Sequence, residues 1–286
     1  MINSTSNKQV KRVVNLRGKA KARREEDRFV AEGLRMCREL VPGEVEELYV
    51  TEDFAASPEN RRWMEAFSCE VVSDVVMNYM ADTRTPQGVL AVVRQRHYRL
   101  EELLPGGSGE RGGKNGGKAG RETGGRAGGE TPAAKACLMI LETLQDPGNL
   151  GTILRAGEGA GITGVVMNRE TADIYNPKVI RSTMGSILRV PFVYADDLGA
   201  ALDQIKAAGV RLFAAHLKGV NNYDREDYTG HVGFLIGNEA NGLTDETAAM
   251  ADCYVKIPMA GRVESLNAAV AASVLMFEAA RQRRNE

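Results

Sequence analysis

Short apolar runs and amphipathic stretches alternate over the first hundred residues of the chain. Apolar runs of strand length occur at residues 29–31, 48–51, 71–72 and 89–93. Between them, apolar positions at helical spacing predict helices over residues 8–21, 33–40, 60–67 and 74–80. Strands that alternate with helices favour a small α/β domain with a mostly parallel or mixed sheet, which we assign to residues 1–97.

The same alternation returns from residue 135 to the end of the chain. Strands are predicted at residues 138–141, 164–167, 190–193, 211–214, 232–236 and 254–257. Helices are predicted at residues 150–160, 177–187, 198–208 and 245–250. A last, long helix is predicted to begin at Ser265, whose hydroxyl is suited to an N-cap. This order is typical of a doubly wound α/β domain, in which ligands bind at loops beyond the carboxyl ends of the strands.

Between the two domains the composition changes abruptly. Twelve of the twenty-four residues from Gly106 to Gly129 are glycine, and none has a large apolar side chain. Ordering one residue costs roughly 1–2 kcal/mol of backbone entropy, and this stretch has no burial to offset that cost. We therefore predict a flexible linker over residues 98–134. Its basic residues could touch nucleic acid, although a solvated tether explains them better.

Composition limits the class of protein before any motif is considered. The chain has 286 residues, 43% of them apolar, which is enough for two domains with their own cores. No apolar run approaches the roughly 18 residues of a membrane span, and the N-terminus is polar and basic. We expect a soluble, cytoplasmic protein.

The net charge of −1 conceals a basic N-terminal end. Residues 1–40 contain eleven Lys or Arg against five acids, so that this part carries +6 and the remainder −7. A basic end on a mildly acidic protein favours a polyanionic partner, although a solvated helix face would produce the same pattern.

Three classes of chemistry find little support in the sequence. The four cysteines form no C-x-x-C pair and have no histidine at ligand spacing, which disfavours a metal site or a disulfide framework. The three histidines are scattered, so nucleophilic catalysis with a histidine base has no local support. Gly159, Gly161 and Gly164 match the spacing of a dinucleotide fingerprint, but they close a helix and open a strand, the reverse of what that fingerprint requires.

Polar residues follow the first strand of the second domain. Asp146, Pro147 and Gly148 form a turn, and Asn149 is placed to cap the next helix. Arg155 falls about one and a half turns into that helix. These side chains are therefore expected at the ligand-binding edge of the sheet.

Two later stretches have a matching character. In residues 237–242, Glu239 directly follows a buried strand, and the flanking glycines permit close approach of the backbone. Residues 257–267 follow the last predicted strand, turn through Pro258 and Gly261, and lead into the final helix.

Together these stretches resemble the three sequence motifs of the SpoU/TrmH family of RNA ribose 2′-O-methyltransferases, within the SPOUT superfamily. The matching residues are Asn149-x-Gly151-x-x-x-Arg155, Gly237-Asn238-Glu239-x-x-Gly242, and Ile257-Pro258-Met259 followed by Ser265-Leu266-Asn267. The first domain is similar to the ribosomal-protein L30e-like substrate-binding domain of that family, through Phe29-Val30-Ala31-Glu32-Gly33 and Thr85-Pro86-Gln87-Gly88. The resemblance covers residues 135–286 and, more loosely, residues 1–97.

This resemblance implies a fold and a cofactor. In the family the C-terminal chain passes through a deep trefoil knot, the SPOUT α/β-knot, and S-adenosyl-L-methionine binds there through backbone groups of the loops after the strands. Carried over by motif, the cofactor contacts are Gly237, Ile257 and Leu266, and the loop of His216 and Leu217 is a further candidate. The family also works as a homodimer, with which the alanine-rich face of the last helix is compatible.

The resemblance also implies roles for five polar residues. Arg155 is expected to act on the ribose 2′-hydroxyl, and we favour phosphate binding and stabilisation of the developing alkoxide over a role as base. Asn149 and Asn267 would hold Arg155 or the ribose. Glu239 would orient the arginine or the glycine loop, and Ser265 would shape the cofactor loop.

The expected partner is RNA, and 23S rRNA is favoured over tRNA because the additional N-terminal domain resembles those of rRNA-modifying members. Two alternatives stay open: a tRNA 2′-O-methyltransferase, and an RNA-binding or ribosome-assembly protein that keeps the fold without the reaction. A relative that methylates a base would be expected to lack the pair Asn149 and Arg155 together with Ser265 and Asn267. No metal, membrane or DNA partner is expected.

Overall fold

The computed structural model describes residues 1–107 and 135–285. They fall into an N-terminal unit of residues 1–96 and 173–188, and a C-terminal unit of residues 97–107, 135–172 and 189–285. Most of the predicted linker, residues 108–134, lies outside the described residues. Within the described ranges, no helix is both long enough and apolar enough to cross a membrane.

The N-terminal unit contains a four-stranded mixed sheet. Its strands are β1 (Arg28–Glu32), β2 (Val45–Thr51), β3 (Cys69–Val72) and β4 (Val89–Arg94). β4 pairs antiparallel with β1 and β2, and β2 pairs parallel with β3. Its helices are α1 (Lys8–Gly18), α2 (Ala20–Glu26), α3 (Leu34–Cys37), α4 (Glu52–Ala56), α5 (Pro58–Met64), α6 (Asp74–Met80) and, from later in the chain, α9 (Pro177–Thr183).

The amphipathic helix α1 closes one face of this sheet. Val10, Val13 and Leu16 are fully buried and share a core with residues of α6, β2 and β4. The single helix predicted over residues 8–21 is wrong, because the chain becomes extended at Lys19 and α2 begins one residue later.

The buried Arg23 of α2 stabilises this break. Its guanidinium donates to the carbonyls of Leu16 and Arg17, at 2.7 and 2.9 Å, and pairs with Asp173 at 2.6 Å. The last carbonyls of a helix have no partner within the helix itself. Arg23 therefore bonds to carbonyls that would otherwise be unsatisfied at the end of α1.

Residues 173–188 pack with the N-terminal unit although the sequence places them within the second domain. Tyr175 stacks on Phe29 with ring centroids 4.6 Å apart, and its hydroxyl accepts the backbone N–H of Arg96 at 2.7 Å. The helix predicted over residues 177–187 ends earlier than expected, because Met184 and Gly185 adopt positive φ angles of 50° and 96°.

The C-terminal unit is built on a seven-stranded sheet in the order β7-β6-β5-β10-β8-β11-β9, and every pairing is parallel. Its strands are β5 (Cys137–Leu141), β6 (Gly164–Asn168), β7 (Phe192–Ala195), β8 (Arg211–Ala215), β9 (Asn221–Asn222), β10 (Val232–Ile236) and β11 (Cys253–Lys256). Its helices are α7 (Leu100–Leu103), α8 (Pro147–Ala160), α10 (Leu198–Ala207), α11 (Asp245–Ala249) and α12 (Ala268–Arg284). The predicted α/β class is confirmed.

The strand order brings four loops to one edge of this sheet. β5, β10, β8 and β11 are consecutive neighbours and parallel, so their carboxyl ends lie side by side. The chain leaves these strands at Glu142, Gly237, His216 and Ile257. Every predicted site residue lies in or after one of these four loops, and the trefoil knot stays a prediction.

Two helix caps differ from those predicted. Helix α8 begins at Pro147 with Asp146 as N-cap, and the Asp146 carboxylate accepts the backbone N–H of Asn149 at 2.9 Å. Helix α12 is capped by Asn267 rather than Ser265, and the Asn267 side chain accepts the N–H of Ala269 at 2.9 Å. Proline suits the first helical position because that N–H needs no partner, which moves the start of α8 ahead of Asn149.

The linker predicted over residues 98–134 wrongly includes a short helix of the C-terminal unit. Residues 100–103 form α7, and Leu100 and Leu103 are buried in the core of the C-terminal unit. A Cβ placed on Gly164 would lie 2.5 Å from Leu103 Cδ2, so α7 is seated directly on the start of β6.

We predict that Glu142→Ala destabilises the C-terminal unit by about 2–4 kcal/mol. Glu142 is buried at the end of β5, where it accepts the N–H and hydroxyl of Thr244, both at 2.8 Å, and the hydroxyl of Thr247. Urea unfolding followed by circular dichroism measures the loss.

The matched control for this prediction is Glu246→Ala, on the exposed side of α11. Its loss should stay below about 1 kcal/mol, because only a favourable charge at the helix N-terminus is removed. Equal losses in the two variants would contradict the role assigned to Glu142.

Candidate active site

The loop after β5 is held in a strained conformation. Thr143 has a φ of 55°, which a β-branched residue rarely adopts. Its N–H donates to Asn168 Oδ1 and its hydroxyl accepts from Asn168 Nδ2, both at 2.8 Å, while its carbonyl accepts from Asn238 Nδ2 at 2.9 Å. Thr143 therefore ties the loop after β5 to the ends of both neighbouring strands, β6 and β10.

Glu239, in the loop after β10, gathers donors from the loop after β5. Its carboxylate accepts the backbone N–H of Gln145 at 3.3 Å, that of Asp146 at 3.1 Å, and the side-chain amide of Asn149 at 3.0 Å. Partial burial opposes the charge, but these hydrogen bonds outweigh it and hold the pKa of Glu239 below its ordinary value. The carboxylate is ionised at neutral pH and fixes the start of α8.

Asn149 connects Glu239 to the start of the last helix. While its amide nitrogen donates to Glu239, its Oδ1 accepts from Asn267 Nδ2 at 2.9 Å. Asn267 in turn uses its own Oδ1 to cap α12. The chain Asn267–Asn149–Glu239 thus joins one residue from each of the three sequence stretches.

Arg155 and Ser265 lie outside this chain of hydrogen bonds. Arg155 is exposed on α8, six residues after Asn149, which is about 9 Å along the helix and roughly 120° around it. Neither side chain makes a hydrogen bond or ion pair with any residue that the structure describes. Arg155 is therefore a cation whose charge no carboxylate neutralises within the described ranges.

The backbone polar groups of the three motif residues expected to bind the cofactor form no hydrogen bonds within the described residues. Gly237 is buried, and Ile257 and Leu266 are half-buried. Their backbone N–H and C=O groups make no hydrogen bond to any other described residue. Buried backbone groups normally have partners, so these three are available to a ligand.

Position 237 accommodates no residue larger than glycine. A Cβ there would lie 2.0 Å from the carbonyl carbon of Gly242 and 2.1 Å from the nitrogen of Leu243. No side chain fits this close approach, which folds the loop into a short bridge in which Asn238 and Gly242 exchange hydrogen bonds of 3.0 and 2.9 Å.

The loop after β8 is the remaining cofactor candidate. The His216 ring stacks on Tyr254 with ring centroids 5.1 Å apart, and the backbone N–H of His216 donates to the carbonyl of Val255 at 3.0 Å. Leu217, the next residue, is 68% exposed. The histidine is therefore anchored to β11, and the leucine presents an apolar side chain beside it.

Comparison with known proteins agrees with this geometry. Residues 136–277 match the model of the SpoU rRNA Methylase family, and residues 7–91 match the model of an MRM3-like substrate binding domain. Residues 136–277 of this chain belong to the SpoU rRNA methylase family. That span contains all the loops described above, and we call it the SpoU domain.

Relatives with established names align over either part or all of the chain. The 23S rRNA (guanosine-2′-O-)-methyltransferase RlmB of Xanthomonas axonopodis pv. citri is 38% identical over 154 residues, 54% of this chain and 62% of its own length. The alignment thus spans less than two thirds of RlmB. A 23S rRNA guanosine 2′-O-methyltransferase of Bacillus subtilis, RlmP, is 28% identical over 96% of this chain and 97% of its own length.

A solved structure matches this chain over nearly its whole length. An AdoMet-bound rRNA methyltransferase from Sinorhizobium meliloti superimposes with a TM-score of 0.79 at 28% identity, covering 98% of this chain and 97% of its own. The fold of both units therefore has a counterpart in a solved rRNA methyltransferase.

The SpoU domain contains structural residues that the sequence did not reveal. Thr143 and Asn168 fall outside the three stretches, and a positive φ at a threonine has no sequence signature. The capping role of Asp146 was signalled by the following proline, although Asn149 was the cap predicted.

We predict that Glu239→Gln lowers the unfolding free energy at pH 7 by a modest amount, about 0.5–1 kcal/mol because the residue is exposed. The fold lowers the pKa of Glu239, so the stabilisation is present above the ordinary carboxylate pKa and is lost as pH falls through the lowered value. The difference between wild type and variant should shrink toward zero below about pH 4. Chemical unfolding across pH measures it.

Glu170→Gln is the control, because Glu170 is exposed and bonds to no other described residue. A gap between wild type and Glu239→Gln that stays constant with pH would contradict the charged role of Glu239.

Proposed function

We propose that this protein transfers a methyl group from S-adenosyl-L-methionine to a ribose 2′-hydroxyl of 23S rRNA. The observation that carries the proposal is the chain Asn267–Asn149–Glu239, which places the three motif loops of the SpoU domain against one another. RlmB and RlmP, which match this chain, are both named as methyltransferases of a guanosine 2′-oxygen in 23S rRNA.

The cofactor site is proposed at the loops after β8, β10 and β11. The uncommitted backbone groups of Gly237, Ile257 and Leu266 would hold S-adenosyl-L-methionine, and His216 and Leu217 would border it. Half-buried apolar side chains with a few backbone partners suit an adenine ring. The cofactor supplies an electrophilic methyl group on a sulfonium.

Arg155 is proposed as the catalytic residue. A ribose hydroxyl is a weak nucleophile until its proton leaves, so negative charge develops on the oxygen during transfer. A guanidinium does not release its proton in proteins, and it therefore acts here by stabilising the developing alkoxide and by holding the adjacent phosphate, which accepts the hydroxyl proton. Its lack of a carboxylate partner among the described residues leaves its full charge for the substrate.

The remaining polar residues are proposed to position the site. Glu239 and Asn149 fix the start of α8, the helix from which Arg155 projects, and Asn267 fixes the start of α12. Ser265 lies in the exposed loop before α12, where it would shape the cofactor loop next to Leu266.

A homodimer is proposed on the exposed face of α12. Val270 and Phe277 are 47% and 51% exposed, and seven residues apart they lie on one side of the helix. Exposed apolar side chains at this spacing suit a helix that packs against a second copy.

We predict that Arg155→Ala lowers kcat for RNA methylation by roughly 100-fold or more, the usual cost of losing a group that stabilises transition-state charge. Arg155→Lys should fail nearly as badly, because the two-pronged contact with phosphate is lost. Transfer of labelled methyl into purified rRNA measures both, and binding of S-adenosyl-L-methionine should be unchanged by calorimetry.

Arg225→Ala is the matched control, since Arg225 is exposed in the same unit and bonds to no other described residue. Label should enter the 2′-O position of rRNA. Label in tRNA alone would overturn the substrate, and full activity of Arg155→Ala would overturn the catalytic assignment.

The double variant Val270→Lys/Phe277→Lys is expected to be monomeric, because two buried charges would cost more than the interface gains. Light scattering after size exclusion measures the mass, and Val75→Lys is the control, because Val75 is an exposed valine on α6. A wild-type protein that is monomeric at high concentration would contradict the dimer.

A further inference from the structure

The N-terminal unit contains a cavity of about 410 Å³. This volume falls in the range of roughly 300–1,000 Å³ typical of sites for small organic groups. Its apolar walls come from β1, α3 and the segment around α9, and include Val30, Met36, Ile180 and Met184. Arg35 and Gln87 are among its polar lining residues.

Gln87 lines this cavity and has donors that no described residue uses. Its Oε1 accepts the backbone N–H of Leu34 at 2.9 Å, and only the oxygen end of the amide can accept that hydrogen. The Nε2 group is therefore turned away from Leu34, and it bonds to no other residue that the structure describes.

Most charges around the cavity are already committed. Glu32 accepts the N–H of Asp82 at 2.7 Å and two hydrogens from Thr83, while Arg181 pairs with Asp82. Arg17 donates to three successive carbonyls at the end of α6.

Arg35 is the exception among these charged groups. It is exposed and forms no hydrogen bond or ion pair within the described ranges. The uncommitted groups of the cavity thus include the cation of Arg35, the pair of amide hydrogens of Gln87, and the hydroxyl of Thr85, which bonds to no other described residue.

Met184 lines this cavity from a strained position. Its φ of 50° places a non-glycine residue in the left-handed region, directly before Gly185, whose φ is also positive. Strain of this kind tends to be kept where a side chain has a task. Here it holds a flexible thioether against the apolar wall.

We propose that this cavity binds one unpaired nucleobase of the RNA substrate, with Arg35 on its phosphate and Gln87 on its edge. RNA is read mainly at unpaired bases that leave the stack, and apolar walls suit the two faces of a base. The identification of RNA as the ligand rests on the proposed function.

The geometry also selects among the bases. Glutamine reads adenine by using its oxygen and its nitrogen together, and here the oxygen is engaged by Leu34. The free donors of Gln87 match a carbonyl oxygen, which guanine, uracil and cytosine carry, whereas adenine offers only ring nitrogens as acceptors. The cavity therefore takes a carbonyl-bearing base in preference to adenine.

Methyl NMR of the full chain labelled at methionine tests this without any methyl transfer. Addition of GMP should shift the Met36 and Met184 signals, assigned with Met→Leu variants, and AMP should shift them less. Signals that do not move with GMP, that move equally with ribose 5-phosphate, or that move only at Met259 in the SpoU domain would each overturn the base site.

A kinetic measurement then connects the cavity to the substrate. Arg35→Gln and Gln87→Ala should each raise KM for rRNA about tenfold with kcat and cofactor binding unchanged, the effect of losing uniform binding. Arg62→Gln, exposed on α5, is the control. Unchanged KM in both variants would overturn the role in RNA binding. A protein that shows the NMR shifts but methylates no RNA would instead contradict the proposed function alone.

Discussion

The carboxylate of Glu239 is the interaction on which the candidate site depends. It belongs to the loop after β10 and accepts two hydrogen bonds from the loop after β5 and one from Asn149 in α8, so that one negative charge holds the two loops and the start of α8 together. Because those donors lower its pKa despite partial burial, the charge persists at neutral pH. The Glu239 carboxylate is therefore engaged by these donors, whereas Arg155 pairs with no carboxylate in the part of the chain that the structure describes.

The position of Glu239 depends in turn on the order of the strands. β10 lies between β5 and β8, so its loop touches the loop that begins at Glu142 and adjoins the one that begins at His216. The strained Thr143 and the bare Gly237 are local costs of packing these loops so closely. Both lie at the strand ends, where the backbone has no regular partner.

The sequence predicted the fold class and most of the candidate site, because glycines and polar residues directly after apolar strands mark loops at one edge of a parallel sheet. Two helix caps are predicted wrongly, because several neighbouring polar residues can each cap a helix. Asn149 and Ser265 could each have capped a helix. Pro147 moves the start of α8 ahead of Asn149 to Asp146, whereas Asn267 caps α12 while it contacts Asn149, which is far away in sequence. Residues 29–33 and 85–88, which carry the resemblance of the first domain, contribute to the cavity beside Arg35, but its opposite wall comes from the segment around α9, about 150 residues later, which no sequence pattern connects to them.

The exchange of residues 173–188 has a consequence for how the protein can be cut. A protease that cleaves between residues 108 and 134 would yield two fragments, but the larger fragment would still carry Tyr175 and α9, which belong to the core of the other unit. Phe29 and Arg23 would lose their partners if the fragments parted. The nicked chain should therefore stay together as a two-fragment complex, and neither unit can be obtained intact as one continuous piece of the chain.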